Sequence, residues 1–185
     1  RNDIGADFFP QLGPYASFDP AVIKLHMTWA HQAGVGVLVL SWYPPSKMDG
    51  NARHPVDPLV PALLDAAHAQ GIRLCLHVEP YKGRTALAVR DDAIEYAVRR
   101  YGGHPAYHRM AQSNKSSKDK QTATPSLSAK ALPVFYIYDS YHVSAEDWRK
   151  VLSPDGTHSI RGTDVDAFVI FLLVEQSHYE YARRG

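Results

Sequence analysis

The chain has little of several features that would assign a protein class at first sight. Its 185 residues include one cysteine, Cys75, so no intrachain disulfide can form and the thiol content indicates no redox compartment. Its 20 basic and 19 acidic residues leave a net charge of +1, which argues against a surface built to attract nucleic acid or an anionic membrane. We therefore expect no nucleic-acid partner.

Membrane-spanning and targeting segments are also missing from these residues. No run approaches the roughly 18 apolar residues that a membrane helix needs, and no signal peptide stands at the first residues. Because the chain begins with Arg1 rather than Met, we expect it to be a piece of a longer product. The missing signals therefore say nothing about that product.

Motifs of several common enzyme classes are absent as well. No Gly-x-Gly-x-x-Gly or Gly-x-x-x-x-Gly-Lys-Ser/Thr sequence follows an apolar run, which weakens a dinucleotide-binding or P-loop interpretation. No Gly-x-Ser-x-Gly nucleophile elbow occurs either. We expect no cofactor.

The chain does have the helix signals of an ordinary globular domain, with 45% apolar residues for a core. Two Asp-Pro pairs are typical of an N-cap followed by Pro in the first helical turn, and a capping-box pattern occurs later in the chain. Apolar residues then recur at three-to-four spacing. Helices are predicted from Asp19-Pro20 to Gly34, from Asp57-Pro58 to Gly71, from about Arg90 to Tyr101, and from Ser144 through Leu152.

Apolar runs between these helices predict buried strands. Val35–Ser41 is apolar nearly throughout, which is typical of a strand covered on both faces. Cys75 lies inside another such run, where we expect a buried and inert thiol. The predicted strands are 35–41, the first half of 72–84, 133–138 and 166–174.

The alternation of these helices and strands predicts an α/β fold with a parallel sheet. It fits either a doubly wound sheet or about half of a (β/α)8 barrel, and both alternatives remain open at this point. Residues 112–130 are polar and nearly free of large apolar groups, so we expect a disordered surface insertion within one domain spanning residues 1–185. Asn114 in that insertion begins a short glycosylation sequon.

Polar and aromatic side chains are concentrated where the predicted strands end. The carboxyl ends of parallel strands are where ligands bind in α/β folds, so we expect these side chains to share a site. Carboxylates bind sugar hydroxyls and aromatic faces pack on the C–H face of a pyranose, which indicates a carbohydrate ligand. The candidate residues are Trp42, Tyr43, His77, Glu79, Tyr81, Arg84, Asp139, Tyr141 and Glu175.

Each candidate also has an interpretation without a ligand. Trp42 and Tyr43 fit packing at the strand end, His77 fits a core histidine, and Glu79 with Arg84 fits a surface ion pair. A divalent metal held by His77, Glu79, Asp139 and Glu175 is a further alternative from the same residues.

Several longer motifs, in order, resemble the endo-α-1,2-mannosidase family, glycoside hydrolase family 99. The resemblance covers essentially the whole chain apart from 112–130. The motifs are residues 3–15, 35–45, Glu79-Pro-Tyr-Lys-Gly-Arg84, Phe135-Tyr-Ile-Tyr-Asp-Ser-Tyr141 and Ser159-Ile-Arg161.

This resemblance implies a (β/α)8 barrel of which the chain contains about four strands. It also implies an enzyme of the Golgi lumen, held by an N-terminal membrane anchor, that trims glucosylated mannose from N-glycans with retention of configuration. The family's acid and base glutamates lie in an Asn-Glu-Trp-His-Glu-like motif that this sequence does not contain. The resemblance therefore implies substrate-binding rather than catalytic roles for Trp42, Tyr43, Glu79, Tyr81, Asp139, Tyr141 and Glu175, and we expect no turnover by this chain alone.

Overall fold

The computed structural model describes residues 10–47, 55–111 and 131–179. In this part of the chain the helices are α1 (Pro20–Gln32), α2 (Val60–Ala69), α3 (Ala86–Ala88), α4 (Tyr96–Arg100) and α5 (Ala145–Leu152). The strands are β1 (Val37–Trp42), β2 (Arg73–Val78), β3 (Arg109–Ala111), β4 (Ala131–Ile137) and β5 (Phe168–Phe171). Residues 112–130, where an insertion and the Asn114 sequon are predicted, and most of the C-terminal tail lie outside the described residues.

The strands form one sheet in which β1, β2, β4 and β5 are parallel neighbours in that order. The predicted parallel α/β fold is confirmed. The parallel strands follow one another in chain order without the reversal that defines a doubly wound sheet, and this order favours a segment of a barrel. The short strand β3, which the apolar pattern did not predict, pairs antiparallel with the start of β4.

Helices cover one face of the sheet. Leu74, Leu76 and Val78 of β2 point to that side and are buried in the main apolar cluster. On β1, the helix-facing Leu38 and Leu40 pack against this cluster, whereas Val37 and Val39 on the opposite face are 38% and 44% exposed. The prediction that this strand is covered on both faces is therefore wrong for the described structure, because the helices lie on one side only.

Local signals located the first helix and the capped helix α5 well. Asp19 accepts a hydrogen bond from the Ala21 amide at the start of α1. Ser144 Oγ accepts one from the Asp147 amide, 3.0 Å away, at the start of α5. Each cap satisfies a backbone N–H that has no partner within the first helical turn.

Other boundaries differ from the prediction. The helix expected near Arg90 begins at Ala86, because the Thr85 hydroxyl caps it, and a π-helical segment, Val89–Glu95, joins α3 to α4. The last strand is shorter than predicted and begins at Phe168. Asp166 precedes it as a buried carboxylate, 2.8 Å from Arg161 Nη1.

Cys75 is buried as expected, and burial raises the pKa of its thiol to about 11. The thiolate is the nucleophilic form, so this thiol is unreactive at neutral pH. Among the described helices, none has the length and apolar character to cross a membrane.

We predict that Ser144→Ala lowers the free energy of unfolding by about 1 kcal/mol, because it removes the hydroxyl that accepts from the Asp147 amide. Urea denaturation measures this change. Ser144→Thr retains a capping hydroxyl and is the matched control. Equal losses in both variants would show that the cap is not the source of the effect.

Candidate functional site

The Glu79 carboxylate is the centre of a polar cluster at the carboxyl ends of β1 and β2. Ser41 Oγ donates to Glu79 Oε1 at 2.7 Å, and His77 Nδ1 lies 3.1 Å from the same oxygen. The Glu79 side chain is 17% exposed and that of His77 is 22% exposed. Among the described residues both contacts go to Oε1 and Oε2 receives none, so the carboxylate is held in place and still able to accept from a ligand.

Strand pairing explains why these side chains meet. Ser41 lies opposite His77 in the β1–β2 pairing, and His77 lies opposite Tyr136 in the β2–β4 pairing. All three therefore point to the face of the sheet that the helices leave open. The His77 ring makes edge contacts with Tyr136 and Tyr138, at centroid distances of 6.4 and 5.2 Å.

Arg84 connects the loop after β2 to the end of β4. Its Nη1 donates to the Tyr138 carbonyl at 2.6 Å and its Nη2 donates to the Asp139 carbonyl at 2.7 Å. Burial lowers the pKa of Arg84, and the nearby acidic groups of Tyr81, Asp139, Glu79 and Tyr141 oppose this shift. The guanidinium remains charged. Among the described residues, Glu79 and Arg84 therefore do not form the surface ion pair given above as an alternative, since each contacts other partners.

Asp139 and Tyr141 form a second polar group after β4. Asp139 has a left-handed backbone, with φ of 47°, and its Oδ1 accepts from Tyr141 OH at 2.7 Å. That hydrogen bond raises the pKa of the Tyr141 hydroxyl, so the phenol stays protonated. The Tyr141 ring stacks on His178, with centroids 3.8 Å apart. Sequence reasoning missed His178, because no local pattern in the tail distinguishes it.

Of the remaining candidates, Trp42 lies on the opposite side of the sheet from the Glu79 cluster. Trp42 is completely buried on the helix-covered side, where its Nε1 donates to Asp57 Oδ1 at 3.0 Å. Tyr43 is half-buried. Glu175 is exposed and lies beyond the end of β5, and its Oε2 is 3.5 Å from Ser177 Oγ. The structure therefore brings together Ser41, His77 and Glu79, with Arg84, Asp139 and Tyr141 next to them, but does not bring Trp42 to the open face.

Tyr81, in the segment that follows β2, is buried. Its hydroxyl oxygen has no hydrogen-bond partner within the described residues. Lys47 Nζ lies 6.0 Å from the centre of its ring and 3.3 Å from Asp92 Oδ2. Burial, aided by the Asp92 carboxylate and opposed by Arg84, raises the pKa of Tyr81 to about 12.

A cavity of about 220 Å³ lies beside Tyr141 and His178, with Trp148, Phe171 and Leu173 among its lining residues. Phe171 belongs to the helix-facing register of β5, so this cavity lies on the helix-facing side of the sheet. In the described ranges, no three His, Cys, Asp or Glu residues are close enough to hold a metal ion. His77, Glu79, Asp139 and Glu175 therefore do not form the ligand set of the metal alternative.

This arrangement is suited to binding a neutral polyhydroxylated ligand. Carboxylate oxygens accept from hydroxyl groups, histidine can donate to them, and tyrosine rings supply apolar faces for sugar C–H groups. The open face of the sheet gives such a ligand access to all three groups.

Comparison with known proteins matches this chain to a family of glycosyl hydrolases. A model of glycosyl hydrolase family 99 matches residues 1–184. The human glycoprotein endo-alpha-1,2-mannosidase-like protein is 47% identical over 177 residues, which are 96% of this chain and 35% of the human protein. The glycoprotein endo-alpha-1,2-mannosidase of Xenopus laevis is 39% identical over 184 residues, which are 100% of this chain and 37% of that protein.

A solved structure shares the fold. The GH99 endo-alpha-mannosidase from Bacteroides thetaiotaomicron superimposes with a TM-score of 0.75 and 34% sequence identity, covering 97% of this chain and 46% of that one. The chain thus spans about a third of the length of these curated relatives and about half of the solved structure.

We predict that Tyr81→Phe is at least as stable as the unchanged chain at pH 7, because it removes a buried hydroxyl that lacks a partner among the described residues. The raised pKa favours the neutral phenol in the folded state. Ionisation of Tyr81 therefore leaves the stability of the unchanged chain unaffected below pH 10. It lowers that stability as the pH rises from 10 to about 12, because the phenol ionises more readily in the unfolded chain than in the folded one. Tyr81→Phe should therefore lose less stability than the unchanged chain between these pH values.

Urea denaturation at a series of pH values measures both effects. Tyr15→Phe, which alters an exposed tyrosine, is the control and should follow the unchanged chain. A loss of more than about 1 kcal/mol at pH 7 in Tyr81→Phe would contradict the prediction and indicate a hydrogen-bond partner for the hydroxyl.

Proposed function

Because the chain belongs to glycosyl hydrolase family 99, we propose that it forms the substrate-binding part of an endo-α-1,2-mannosidase-like glycoside hydrolase. The proposed substrate is an oligosaccharide with glucosylated mannose, as on an N-glycan. The family match and the polar cluster on the open face support this proposal from independent directions.

The observation that carries it is the position of Glu79. A carboxylate held by Ser41 and His77 at the carboxyl end of a parallel sheet is fixed before any ligand arrives. A fixed acceptor loses little side-chain entropy when it binds a hydroxyl group. It can therefore discriminate between sugar epimers with only a small loss of binding free energy. Tyr136 and Tyr138, next to His77, supply the aromatic surface for the pyranose ring.

The other cluster members have supporting roles in this proposal. Arg84 fixes the Tyr138 and Asp139 carbonyls and thereby sets the direction of the chain after β4. The hydrogen bond from the Tyr141 hydroxyl to Asp139 Oδ1 fixes the orientation of that hydroxyl. We propose that Asp139 and Tyr141 contact a second sugar unit, at a subsite next to the one that Glu79 serves.

For the complete enzyme we propose a retaining reaction in which the substrate's own 2-hydroxyl attacks the anomeric carbon. One carboxylate takes the proton of that hydroxyl, and a carboxylic acid protonates the departing glycosidic oxygen. Water then opens the resulting intermediate. We assign neither catalytic role to Glu79, Asp139 or Glu175, because the family's acid/base motif has no counterpart in these 185 residues.

The chain should therefore bind glucosylated mannose without hydrolysing it. Calorimetric titration with a glucosylated α-1,2-mannose oligosaccharide tests binding, and chromatography of the same mixture after incubation tests turnover. Release of a disaccharide by the purified chain would refute the absence of turnover. Absence of binding by a folded chain would refute the proposed function.

A non-catalytic glycan-binding module is the second candidate function, and the same two measurements address it. Binding without turnover fits both candidates, whereas detection of acid/base glutamates in a longer product of the same gene would select the hydrolase. The Golgi lumen as the site of action stays a prediction from the family likeness.

We predict that Glu79→Gln weakens binding of the oligosaccharide at least about tenfold, because a hydrogen bond to a charged acceptor contributes about 1.5–3 kcal/mol. Titration calorimetry measures the dissociation constant. Glu146→Gln, an exposed substitution in the first turn of α5, is the matched control and should bind normally. Equal affinity of Glu79→Gln and the unchanged chain would remove Glu79 from the site.

A further inference from the structure

Asp57 lies outside the polar cluster, in the layer between the sheet and the helices, yet it gathers three side-chain hydrogen bonds. Oδ1 accepts from Trp42 Nε1 at 3.0 Å and from Tyr101 OH at 2.8 Å, and Oδ2 accepts from Tyr96 OH at 2.8 Å. The sequence predicted a helix cap at this position. The structure instead places Asp57 inside a short 3-10 turn, Asp57–Leu59, where its side chain caps neither that turn nor α2.

These bonds join the end of β1 to the helix that follows β2. Trp42 is fully buried, and its indole stacks on the Tyr96 ring at 6.3 Å with an interplanar angle of 17°. Burial raises the pKa of both Tyr96 and Tyr101, so both phenols remain protonated donors to the carboxylate. Hydrogen bonds to an ionised acceptor are about twice as strong as neutral ones, so the indole position is closely defined.

The Trp42 backbone transmits this constraint to Glu79. The Trp42 carbonyl accepts from the Glu79 amide at 3.0 Å, and the preceding residue, Ser41, holds the Glu79 carboxylate through its hydroxyl at 2.7 Å. Two consecutive residues of β1 therefore fix the main chain and the side chain of Glu79. Displacement of the Trp42 indole would move both anchors together.

We propose that Asp57 is a positioning residue for Glu79, acting from the helix-covered side of the sheet through Trp42. The oligosaccharide-binding consequence rests on the proposed function. The positioning itself concerns the protein alone and does not depend on any ligand.

The principal variant is Asp57→Asn, which keeps the side-chain shape but replaces one accepting oxygen by an amide donor facing hydroxyl groups. Tyr96→Phe is a milder second variant, because it removes one donor and keeps the ring stack, and it applies if Asp57→Asn fails to fold. Asp65→Asn is the matched control. It removes the charge of another aspartate of the helix layer, whose side chain is 78% exposed and pairs with His104 at 3.1 Å, away from Trp42.

Amide hydrogen exchange at Glu79 is the first measurement, because that amide donates directly to the Trp42 carbonyl. The reference is the Leu74 amide of β2, the strand that precedes Glu79, which donates to the Ala106 carbonyl at 2.8 Å. We expect exchange at Glu79 to accelerate about tenfold or more in Asp57→Asn, and severalfold in Tyr96→Phe, with Leu74 changed much less. Equal acceleration at both amides, or none at Glu79, would overturn the proposal by showing a general or absent effect.

Oligosaccharide affinity is the second measurement, made by calorimetry at a temperature where each variant is folded. We expect the dissociation constant to rise about tenfold in Asp57→Asn and to stay unchanged in Asp65→Asn. Normal affinity in Asp57→Asn despite faster Glu79 exchange would overturn its role in binding. If the unchanged chain binds no oligosaccharide, the proposed function fails, while the exchange measurement still decides whether Asp57 positions Glu79.

Discussion

The pairing of β1 with β2 is the constraint on which the polar cluster depends. It sets Ser41 beside His77, and Glu79, two residues after His77 and just beyond the end of β2, contacts both of them. A shift of one residue in this pairing would turn Ser41 away from the open face, because alternate residues of a strand point to opposite sides. Packing on the helix-covered face opposes such a shift, since it would also turn Leu38, Leu40 and Trp42 away from the apolar cluster.

The two faces of the sheet carry different kinds of side chain. The helix-covered face contains most of the fully buried side chains and provides most of the stabilising apolar contact. The open face has the serine, the histidine and the tyrosines around Glu79. Asp57 and Trp42 link the two, since a carboxylate in the helix layer holds an indole whose backbone carbonyl accepts from the Glu79 amide. Contacts on the helix-covered side of the sheet thus help to fix the position of Glu79 on the open side.

The class of ligand proposed for this cluster depends on the family relationship. Carboxylates and tyrosines at the ends of parallel strands are common in α/β proteins, and by themselves they indicate a polar ligand of no particular class. The match to glycosyl hydrolase family 99 along residues 1–184 is what supports the proposal of an oligosaccharide ligand. The chain spans about a third of the length of these curated relatives.

The sequence by itself determined the order of the main helices and of the four parallel strands, the caps at Asp19 and Ser144, and the position of Glu79 after β2. These features depend on local propensity and on apolar periodicity, which neighbouring residues encode. Only the tertiary structure decided that Trp42 faces the helices, that Asp57 binds three side chains instead of capping a helix, and that His178 stacks on Tyr141. Those contacts join residues far apart in the chain, so their partners are set by the packing of whole elements and no local pattern records them.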